Sequence, residues 1–280
     1  MKNILVTGMS GYLGNSFTSE YSKKYKYIKF SLFSDKIEEI NFVNVDVVLH
    51  CAALVHQKEI HKYSSYYDVN VKYPYDLAAK AKENGVKQFI FISTIAVYGN
   101  DIEIIDEDTE TNPVTPYGIS KLEAEKKLFE LNDESFTVTI VRPPMIYGSN
   151  APGNIDTLVN LIRKVPILPF SNINNKRSFI YIENLCSVID ELINTKKSGI
   201  FLISDKDSLS TTKLCELISL NLNKKLYLIR IPLFETFLKL VKPDLHSKLF
   251  GNLEINSNDL KLDNFISVEE GIKKMIKGEK

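Results

Sequence analysis

Short apolar runs alternate with stretches of helical periodicity over the first half of the chain. Five runs are bounded by turn-forming residues: NILVT (3–7), YIKFSL (27–32), VDVVLH (45–50), QFIFIS (88–93) and FTVTIV (136–141). Between them, residues 12–25, 65–85 and 117–132 show a helical period, and Gly85 is positioned to end the second of these helices. Near-continuous apolar strands separated by helices predict an α/β fold with a doubly wound parallel sheet.

The pattern changes after Arg142. Residues 142–154, RPPMIYGSNAPGN, are rich in Pro, Gly and Asn and predict a loop that leaves the sheet. Beyond it, periodicity predicts helices at 154–165, 182–195 and 210–222 and a strand near 199–204. We expect a dinucleotide-binding domain of residues 1–145 with about 177–197, returning to the sheet near 177–184, and a smaller C-terminal substrate-binding domain of residues 146–176 and 198–280.

Residues 231–250 carry an apolar stripe at helical spacing. Its members are Leu233, Phe234, Phe237, Leu238 and Val241. Such a stripe usually faces a protein core, and we favour that interpretation. A helix that lies on a membrane surface is the alternative.

Composition narrows the possible classes of protein. The 280 residues are enough for one large domain or two, and 35 basic residues balance 35 acidic ones. With no net charge, we expect neither nucleic-acid binding nor membrane insertion. Three distant cysteines without a CxxC motif argue against disulfides and zinc, and the first apolar run is too short for a signal peptide. The chain is therefore predicted to be a soluble cytoplasmic protein.

The stretch VTGMSGYLG (6–14) follows the first predicted strand and opens the first predicted helix. In this context Gly8 permits a tight turn, Gly11 lets the backbone approach a pyrophosphate, and Gly14 allows the helix to pack closely on the sheet. The free N–H groups of the helix N-terminus favour phosphate. Such glycines can also serve turns alone, but the strand–turn–helix context favours a bound dinucleotide.

The stretch YGISK places Tyr117 and Lys121 four residues apart on a predicted helix, so the two side chains share a face. An adjacent ammonium, together with the positive nicotinamide of an oxidised cofactor, favours phenolate and brings the tyrosine pKa from its usual ~10 closer to neutrality. Ser93 and Thr94 end a preceding strand, where the functional residues of parallel sheets gather. The alternative for these two hydroxyls is that backbone groups satisfy them.

These motifs stand in the order found in a known family. TGMSGYLG, with the spacing TGxxGxxG, is followed by HCAAL (50–54), VN (69–70), FISTIAVYG (91–99), PYGISK (116–121) and RSFIYIENL (177–185). Together they resemble the extended short-chain dehydrogenases/reductases that act on nucleotide sugars. The resemblance covers nearly the whole chain and implies a Rossmann-like fold and NAD or NADP as cofactor.

The resemblance also implies roles for individual residues. Thr94, Tyr117 and Lys121 match the catalytic residues: Tyr117 transfers a proton, Thr94 binds the substrate oxygen, and Lys121 also holds the nicotinamide ribose. The implied cofactor-binding residues are Gly8, Ser10, Gly11, Tyr12, Leu13, Gly14, Ala52, Ala53, Asn70, Tyr117, Lys121 and Pro144. Thr94, Asn154 and Arg177 match residues that bind a UDP-sugar substrate, with Arg177 on the diphosphate. Asn154 also suits a helix N-cap.

One subgroup is particularly similar. Residues 142–185, together with AALVHQ (52–57), resemble bacterial surface-polysaccharide enzymes that reduce the C4 ketone of UDP-4-keto-6-deoxy-N-acetylhexosamines, as in the formation of UDP-quinovosamine-type sugars. UDP-sugar 4-epimerases share the same catalytic residues and the VYG motif, so they are the alternative. A non-catalytic nucleotide-binding module is a third possibility. The resemblance is compatible with a homodimer.

The choice between NAD and NADP stays open. An NAD enzyme places an acidic residue at the tip of the second strand to bind ribose hydroxyls. Here Asp35 lies two or three positions beyond the expected tip, and Ser34 and Lys36 suit a phosphate as well as Asp35 suits a hydroxyl.

Two hydrolytic chemistries are disfavoured. The four histidines, His50, His56, His61 and His246, form no HExxH motif, so the sequence offers no metal site of that kind. Ser10 in GMSGYLG resembles the GxSxG nucleophile elbow of α/β-hydrolases. That elbow normally follows several strands and precedes its histidine, whereas Ser10 follows the first strand and only His246 lies late in the chain.

Overall fold

The computed structural model describes residues 1–31, 35–55, 63–100, 102–257, 260, 262 and 264–278. The chain divides into two compact units. The first unit comprises Met1–Asp101, Asp108–Pro143 and Leu185–Ile203, and the second comprises Ile102–Glu107, Pro144–Asn184 and Ser204–Lys280. No described helix combines the length and the apolar character needed to cross a membrane.

The described strands and helices are numbered in chain order. Strands β1 to β12 are Asn3–Thr7, Lys26–Phe30, Val47–His50, Gln88–Ile92, Ile104–Ile105, Thr137–Arg142, Met145–Tyr147, Ile167–Leu168, Phe179–Tyr181, Gly199–Leu202, Tyr227–Leu228 and Glu254–Ile255. Helices α1 to α10 are Tyr12–Glu20, Tyr63–Tyr67, Tyr73–Glu83, Pro116–Phe129, Asn154–Lys164, Ile182–Thr195, Thr211–Asn221, Phe234–Val241, Pro243–Phe250 and Val268–Lys277. A π-helical turn, Asp68–Lys72, joins α2 to α3, and short 3₁₀ helices lie at Ile37–Glu39 and Ile95–Tyr98.

A six-stranded parallel sheet forms the centre of the first unit, in the order β10-β6-β4-β3-β1-β2. The predicted α/β fold is therefore confirmed, and each of the five predicted strands is present with ends within two residues of the expectation. Every residue of β3 and β4 is buried, which explains their continuous apolar runs. Since β2 and β3 flank β1 on opposite sides, the carboxyl end of β1 is a topological switch point, where such sheets bind ligands.

The expected return of the chain to this sheet near 177–184 is wrong. The sixth strand is β10, which pairs with β6, whereas β9 pairs with β7 in a separate two-stranded sheet of the second unit. Residues 177–184 therefore belong to the second unit and 198–203 to the first. Both segments are short and apolar, so their composition does not distinguish them. They differ in a polar contact, because the buried Asp205 carboxylate accepts the backbone N–H of Tyr181 in β9.

The π-helical turn interrupts the helix that the sequence predicts over 65–85. Pro74 lies one turn later and has no N–H to donate to the carbonyl of Asn70. An α-helical ladder would therefore break at this point, and the wider turn accommodates the proline. As a result Asn70 is buried and faces the interior of the first unit.

The second unit is organised around buried polar groups. Asp205 accepts hydrogen bonds from the Tyr147 hydroxyl at 2.9 Å and the Asn184 amide at 2.8 Å. Helix α10, which the sequence analysis does not predict, packs against the same tyrosine: a Cβ on Gly271 would lie 2.6 Å from the Tyr147 oxygen. Only glycine permits this close approach.

Most of the apolar stripe of residues 231–250 does not face a core. Residues 231–250 contain α8 and α9, the five predicted stripe members all lie in α8 or at its N-cap, and of these only Leu238 is buried. Phe234 is half-buried against Phe170 and Phe250, but Leu233 and Phe237 are 79% and 59% exposed. Core packing was therefore the wrong interpretation for most of the stripe.

A buried ion pair ties α4 to β6 in the first unit. The Arg142 guanidinium donates to the Glu125 carboxylate at 2.5 Å through Nη2 and at 3.1 Å through Nε. The Ser93 hydroxyl donates to the same carboxylate, and the third guanidinium nitrogen, Nη1, donates to the Tyr98 hydroxyl at 2.8 Å. Four buried polar side chains thus satisfy one another.

We expect Arg142→Met to lower the free energy of unfolding by about 3–5 kcal/mol, because it leaves the Glu125 carboxylate buried without a cation. Urea unfolding measures the change, and Arg163→Met, at an exposed position of α5, is the matched control. The double variant Glu125→Met/Arg142→Met should recover much of the loss, since a packed apolar pair needs no counter-charge. An Arg142→Met protein as stable as the control would contradict the stabilising role of the Arg142–Glu125 ion pair.

Candidate functional site

The glycine-rich loop lies at the switch point of the sheet and is packed against the loop that follows β3. Gly8 has a positive φ of 70°, and a Cβ on it would lie 2.7 Å from the Ala52 nitrogen. A Cβ on Gly14 would lie 2.4 Å from the Gly8 oxygen. Both positions therefore exclude side chains, as the sequence predicts.

Gly11 occupies the N-cap of α1, and no side chain there accepts a hydrogen bond from the helix. The first turn of α1, at Tyr12, Leu13 and Gly14, thus begins without a side-chain cap from Gly11. A helix N-terminus of this kind supplies donors and partial positive charge for phosphate. Ser10 is exposed beside it. This cradle fits the pyrophosphate of a dinucleotide.

Asn70 holds the loop after β3 in place. Its side-chain oxygen accepts the Leu54 N–H at 2.8 Å, and its amide donates to the Leu54 carbonyl and the Ser120 hydroxyl at 3.0 Å each. Both amide hydrogens are therefore used within the protein. Asn70 fixes the loop that contains Ala52 and Ala53 relative to α4. Contacts of these three residues with a cofactor stay predictions.

Tyr117 and Lys121 lie on α4, one turn apart, as predicted. Lys121 is buried, donates to the Ile92 carbonyl at 2.7 Å and lies 4.2 Å from the centre of the Phe91 ring. Tyr117 is partly exposed. The start of α4 packs closely on the 3₁₀ helix after β4, because a Cβ on Gly118 would lie 2.6 Å from the Ala96 oxygen.

The electrostatics of this pair differ from the expectation. Burial lowers the pKa of Lys121 to about 7, partly offset by the Glu125 carboxylate. Burial also raises the pKa of Tyr117 to about 12, so the ammonium alone does not produce the expected lowering of the tyrosine pKa, and the lowering expected from an oxidised nicotinamide stays a prediction. The reason is geometric: the ammonium is directed to the Ile92 carbonyl and is itself desolvated.

The structure distinguishes the two hydroxyls at the end of β4. Ser93 is buried and donates to Glu125, so its proton is used. Thr94 is partly exposed and caps the 3₁₀ helix, where its oxygen accepts the Ala96 N–H at 3.2 Å. That contact uses a lone pair and leaves the hydroxyl hydrogen of Thr94 able to donate.

At the tip of β2, the Asp35 carboxylate accepts the N–H of Ser31 at 2.8 Å. Ser31 directly follows β2, so Asp35 folds back to the strand end although it lies five positions beyond Phe30. Lys36 is exposed nearby in sequence, and Ser34 lies outside the described residues, as do His56 and His61. The geometry leaves NAD and NADP both possible.

In the second unit, Asn154 and Arg177 line one cavity of about 310 Å³. The N-cap alternative for Asn154 is wrong, because Gly153 occupies the N-cap and Asn154 is the first helical residue of α5. The cavity is otherwise largely apolar, with Leu158, Phe170 and Phe179 among its lining residues. It brings together two residues that are 23 positions apart in sequence.

Arg177 has no acidic partner among the described residues. Its guanidinium donates to the backbone carbonyls of Ser247 and Gly251, each at 3.1 Å, and burial lowers its pKa. Lys248 lines the same cavity, and no Asp or Glu is among the described lining residues. Two cations in a carboxylate-free, mostly apolar cavity suit a ligand that has an anionic group and a flat apolar part.

Sequence reasoning missed several of these residues. Glu125 stands four residues after Lys121, so the repeated i, i+4 spacing could have placed it on the same face of α4. Lys248 has no comparable signal, because it belongs to no motif. Pro144 is buried and begins the second segment of the second unit, and its contact with a cofactor stays a prediction.

Comparisons with known proteins agree with this geometry. The UDP-glucose 4-epimerase of Vibrio cholerae is 33% identical over 93% of this chain and 89% of that protein. The N-acetyl-alpha-D-glucosaminyl-diphospho-ditrans,octacis-undecaprenol 4-epimerase of Escherichia coli O157:H7 is 29% identical over 82% of this chain and 75% of that protein.

Among solved structures, the dTDP-4-dehydrorhamnose reductase of Bacillus anthracis in complex with NADP matches with a TM-score of 0.78. The match covers 100% of both chains at 22% identity, so it concerns the fold. The model of the NAD dependent epimerase/dehydratase family matches residues 4–204. The chain therefore belongs to the NAD dependent epimerase/dehydratase family of enzymes and uses a nicotinamide dinucleotide cofactor.

Proposed function

We propose that the protein is a reductase that uses NADH or NADPH to reduce the C4 ketone of a UDP-linked 4-keto-6-deoxy amino sugar for surface-polysaccharide synthesis. The observation that carries oxidoreductase chemistry is the placement of Tyr117 and Lys121 one turn apart on α4, and the resemblance of residues 142–185 to the C4-reducing subgroup supports the direction of the reaction. Burial raises the pKa of Tyr117 to about 12, so the phenol holds its proton at neutral pH, as an unperturbed tyrosine also does. A reduction requires a proton donor at the new hydroxyl, and Tyr117 provides one.

Each residue of the first unit has a defined task in this proposal. Tyr117 donates its phenolic proton to the substrate oxygen, and Thr94 donates a hydrogen bond to the same oxygen. Lys121 holds the ribose of the cofactor, and the loop from Gly8 to Gly14 holds its pyrophosphate. When bound, the reduced nicotinamide supplies the hydride that the reduction requires.

The cavity of the second unit supports a substrate whose bound part is a nucleoside diphosphate. Arg177 and Lys248 provide the cations for two phosphates, and the apolar walls suit a flat base. Asn154, at the open N-terminus of α5, adds a polar contact. The identity of the sugar rests on the resemblance of residues 142–185 to the C4-reducing subgroup.

A UDP-sugar 4-epimerase is the second candidate, favoured by the names of both curated relatives. The same hydroxyls and lysine serve that reaction, so the residue set does not separate the two. They differ in net cofactor use: a reductase consumes one reduced cofactor per product, and an epimerase consumes none. This difference is the basis of the first test.

The purified protein, with NADH or NADPH and a UDP-4-keto-6-deoxy-N-acetylhexosamine, should oxidise the cofactor in proportion to substrate. Tyr117→Phe should slow this reaction about 10²–10⁴-fold, because it removes the proton donor. Tyr227→Phe is the matched control, since Tyr227 is exposed in the second unit. Interconversion of UDP-glucose and UDP-galactose without net cofactor use would instead identify the epimerase.

The glycine loop offers a prediction about cofactor binding. A Cβ on Gly11 would lie 3.1 Å from the Gly8 oxygen, and its φ of −74° is ordinary, so Gly11→Val should fold. The added side chain would occupy the pyrophosphate cradle and should abolish binding of NAD and NADP in calorimetry. Gly14→Ala should instead destabilise the fold, because its Cβ would lie 2.4 Å from backbone. Unchanged binding by Gly11→Val would contradict the assigned cradle.

The burial of Lys121 predicts a pH dependence of stability. Between pH 7 and the ordinary lysine pKa of 10.5, Lys121 is protonated in the unfolded chain and neutral in the folded one. Folding then releases a proton, so stability rises with pH across this window, by at most about 1.4 kcal/mol per pH unit. The Lys121→Met protein should lack this pH-dependent contribution to the free energy of unfolding. Urea unfolding of both proteins from pH 6.5 to 10 measures the difference, and a pH-independent difference would contradict the lowered pKa.

A further inference from the structure

Helix α8 exposes an apolar face that no described part of the chain covers. Leu233, Phe237, Leu240 and Val241 are 79%, 59%, 79% and 57% exposed, and we call these four residues the α8 face. Their spacing of four, three and one residues places them on one side of the helix. Leu238, on the adjoining side of the helix, is buried.

The start of the helix is also strained. Leu233, at the N-cap of α8, has a φ of 61°, a conformation that side chains other than glycine rarely adopt. Such strain costs of order 1 kcal/mol or more. Because the Leu233 side chain is largely exposed, packing within the protein does not offset this cost.

Charge distinguishes this region from the rest of the chain. Residues 224–250 contain six basic residues, Lys224, Lys225, Arg230, Lys239, Lys242 and Lys248, and two acidic residues, Glu235 and Asp244. The segment therefore carries a net charge of +4, whereas the whole chain, with 35 basic and 35 acidic residues, is neutral. Lys239 and Lys242, which are adjacent in sequence to Leu240 and Val241, are exposed.

We propose that the α8 face docks on the surface of an anionic phospholipid bilayer. An amphipathic helix of this kind lies in the interface with its apolar side chains below the headgroups. The stems of Lys239 and Lys242 extend along apolar surface while their ammonium groups reach the phosphates. A second copy of the chain fits less well, because a two-fold contact sets the same basic segment against itself.

The test uses vesicles of phosphatidylcholine with and without phosphatidylglycerol. The chain contains no tryptophan, so Leu240→Trp introduces a single reporter, and Leu220→Trp, at a 70% exposed position of α7, is its control. Fluorescence of the α8 reporter should shift to shorter wavelength on vesicles with phosphatidylglycerol only, and the control should not shift. Phe237→Ser/Leu240→Ser should weaken co-sedimentation at least about tenfold, with Leu220→Ser unchanged.

Charge variants provide an independent measurement. Lys239→Gln and Lys242→Gln should each weaken binding about fivefold, and added salt should weaken it further. Thermal unfolding of every variant verifies that the fold is intact. The proposal is overturned by failure to bind either vesicle, by binding that the serine variant leaves unchanged, or by a lipid-free dimer that buries Trp at position 240 in sedimentation and fluorescence.

Discussion

The burial of one ammonium group shapes the site of the first unit. Lys121 is enclosed between the Phe91 ring and the Ile92 carbonyl, at the point where α4 meets the end of β4. A desolvated cation is costly, and the Glu125 carboxylate one turn further along α4 reduces that cost. Glu125 is in turn neutralised by Arg142 from β6. The site of Tyr117 and Lys121 on α4 is thus connected to β6 through the alternating charges of Lys121, Glu125 and Arg142.

Much of the first unit follows from local sequence signals. The strands are short apolar runs bounded by turn residues, and the glycine spacing, directly after the first of them, favours a strand–turn–helix junction. Because these signals depend only on neighbouring residues, a single sequence is sufficient to predict the strands and the loop from them. The position of the sixth strand is not set by a local signal: residues 179–181 and 199–202 have similar apolar character, and the first of them is bound to the buried Asp205 carboxylate through the Tyr181 N–H. No periodicity encodes that contact.

The candidate site was predictable to a similar extent. Motifs identified Tyr117, Lys121, Thr94 and Arg177, and the cavity confirms that Arg177 and Asn154 lie together in the second unit. The pKa of Tyr117 was not predictable, because helical spacing gives proximity but not the direction of an ammonium group. Likewise the exposure of the stripe on α8 could not be read from its periodicity, since an apolar face has the same spacing whether protein or lipid covers it.

The direction of proton transfer is the physical difference between the two candidate functions. A phenol with a pKa raised by burial stays protonated at neutral pH, so its proton is present for transfer to a substrate oxygen, and Thr94 keeps its hydroxyl hydrogen because its oxygen is the acceptor for Ala96. Two donors directed at one oxygen stabilise the alkoxide that forms when a ketone is reduced. An epimerase must first remove a proton from a hydroxyl at the same place, which requires that the tyrosine pKa fall by several units. The positive charge of an oxidised nicotinamide can lower the pKa of Tyr117. Titration of Tyr117 with and without oxidised cofactor therefore separates the two functions: a lowered pKa is expected of a site that also oxidises its substrate, and an unchanged pKa of a site that only reduces it.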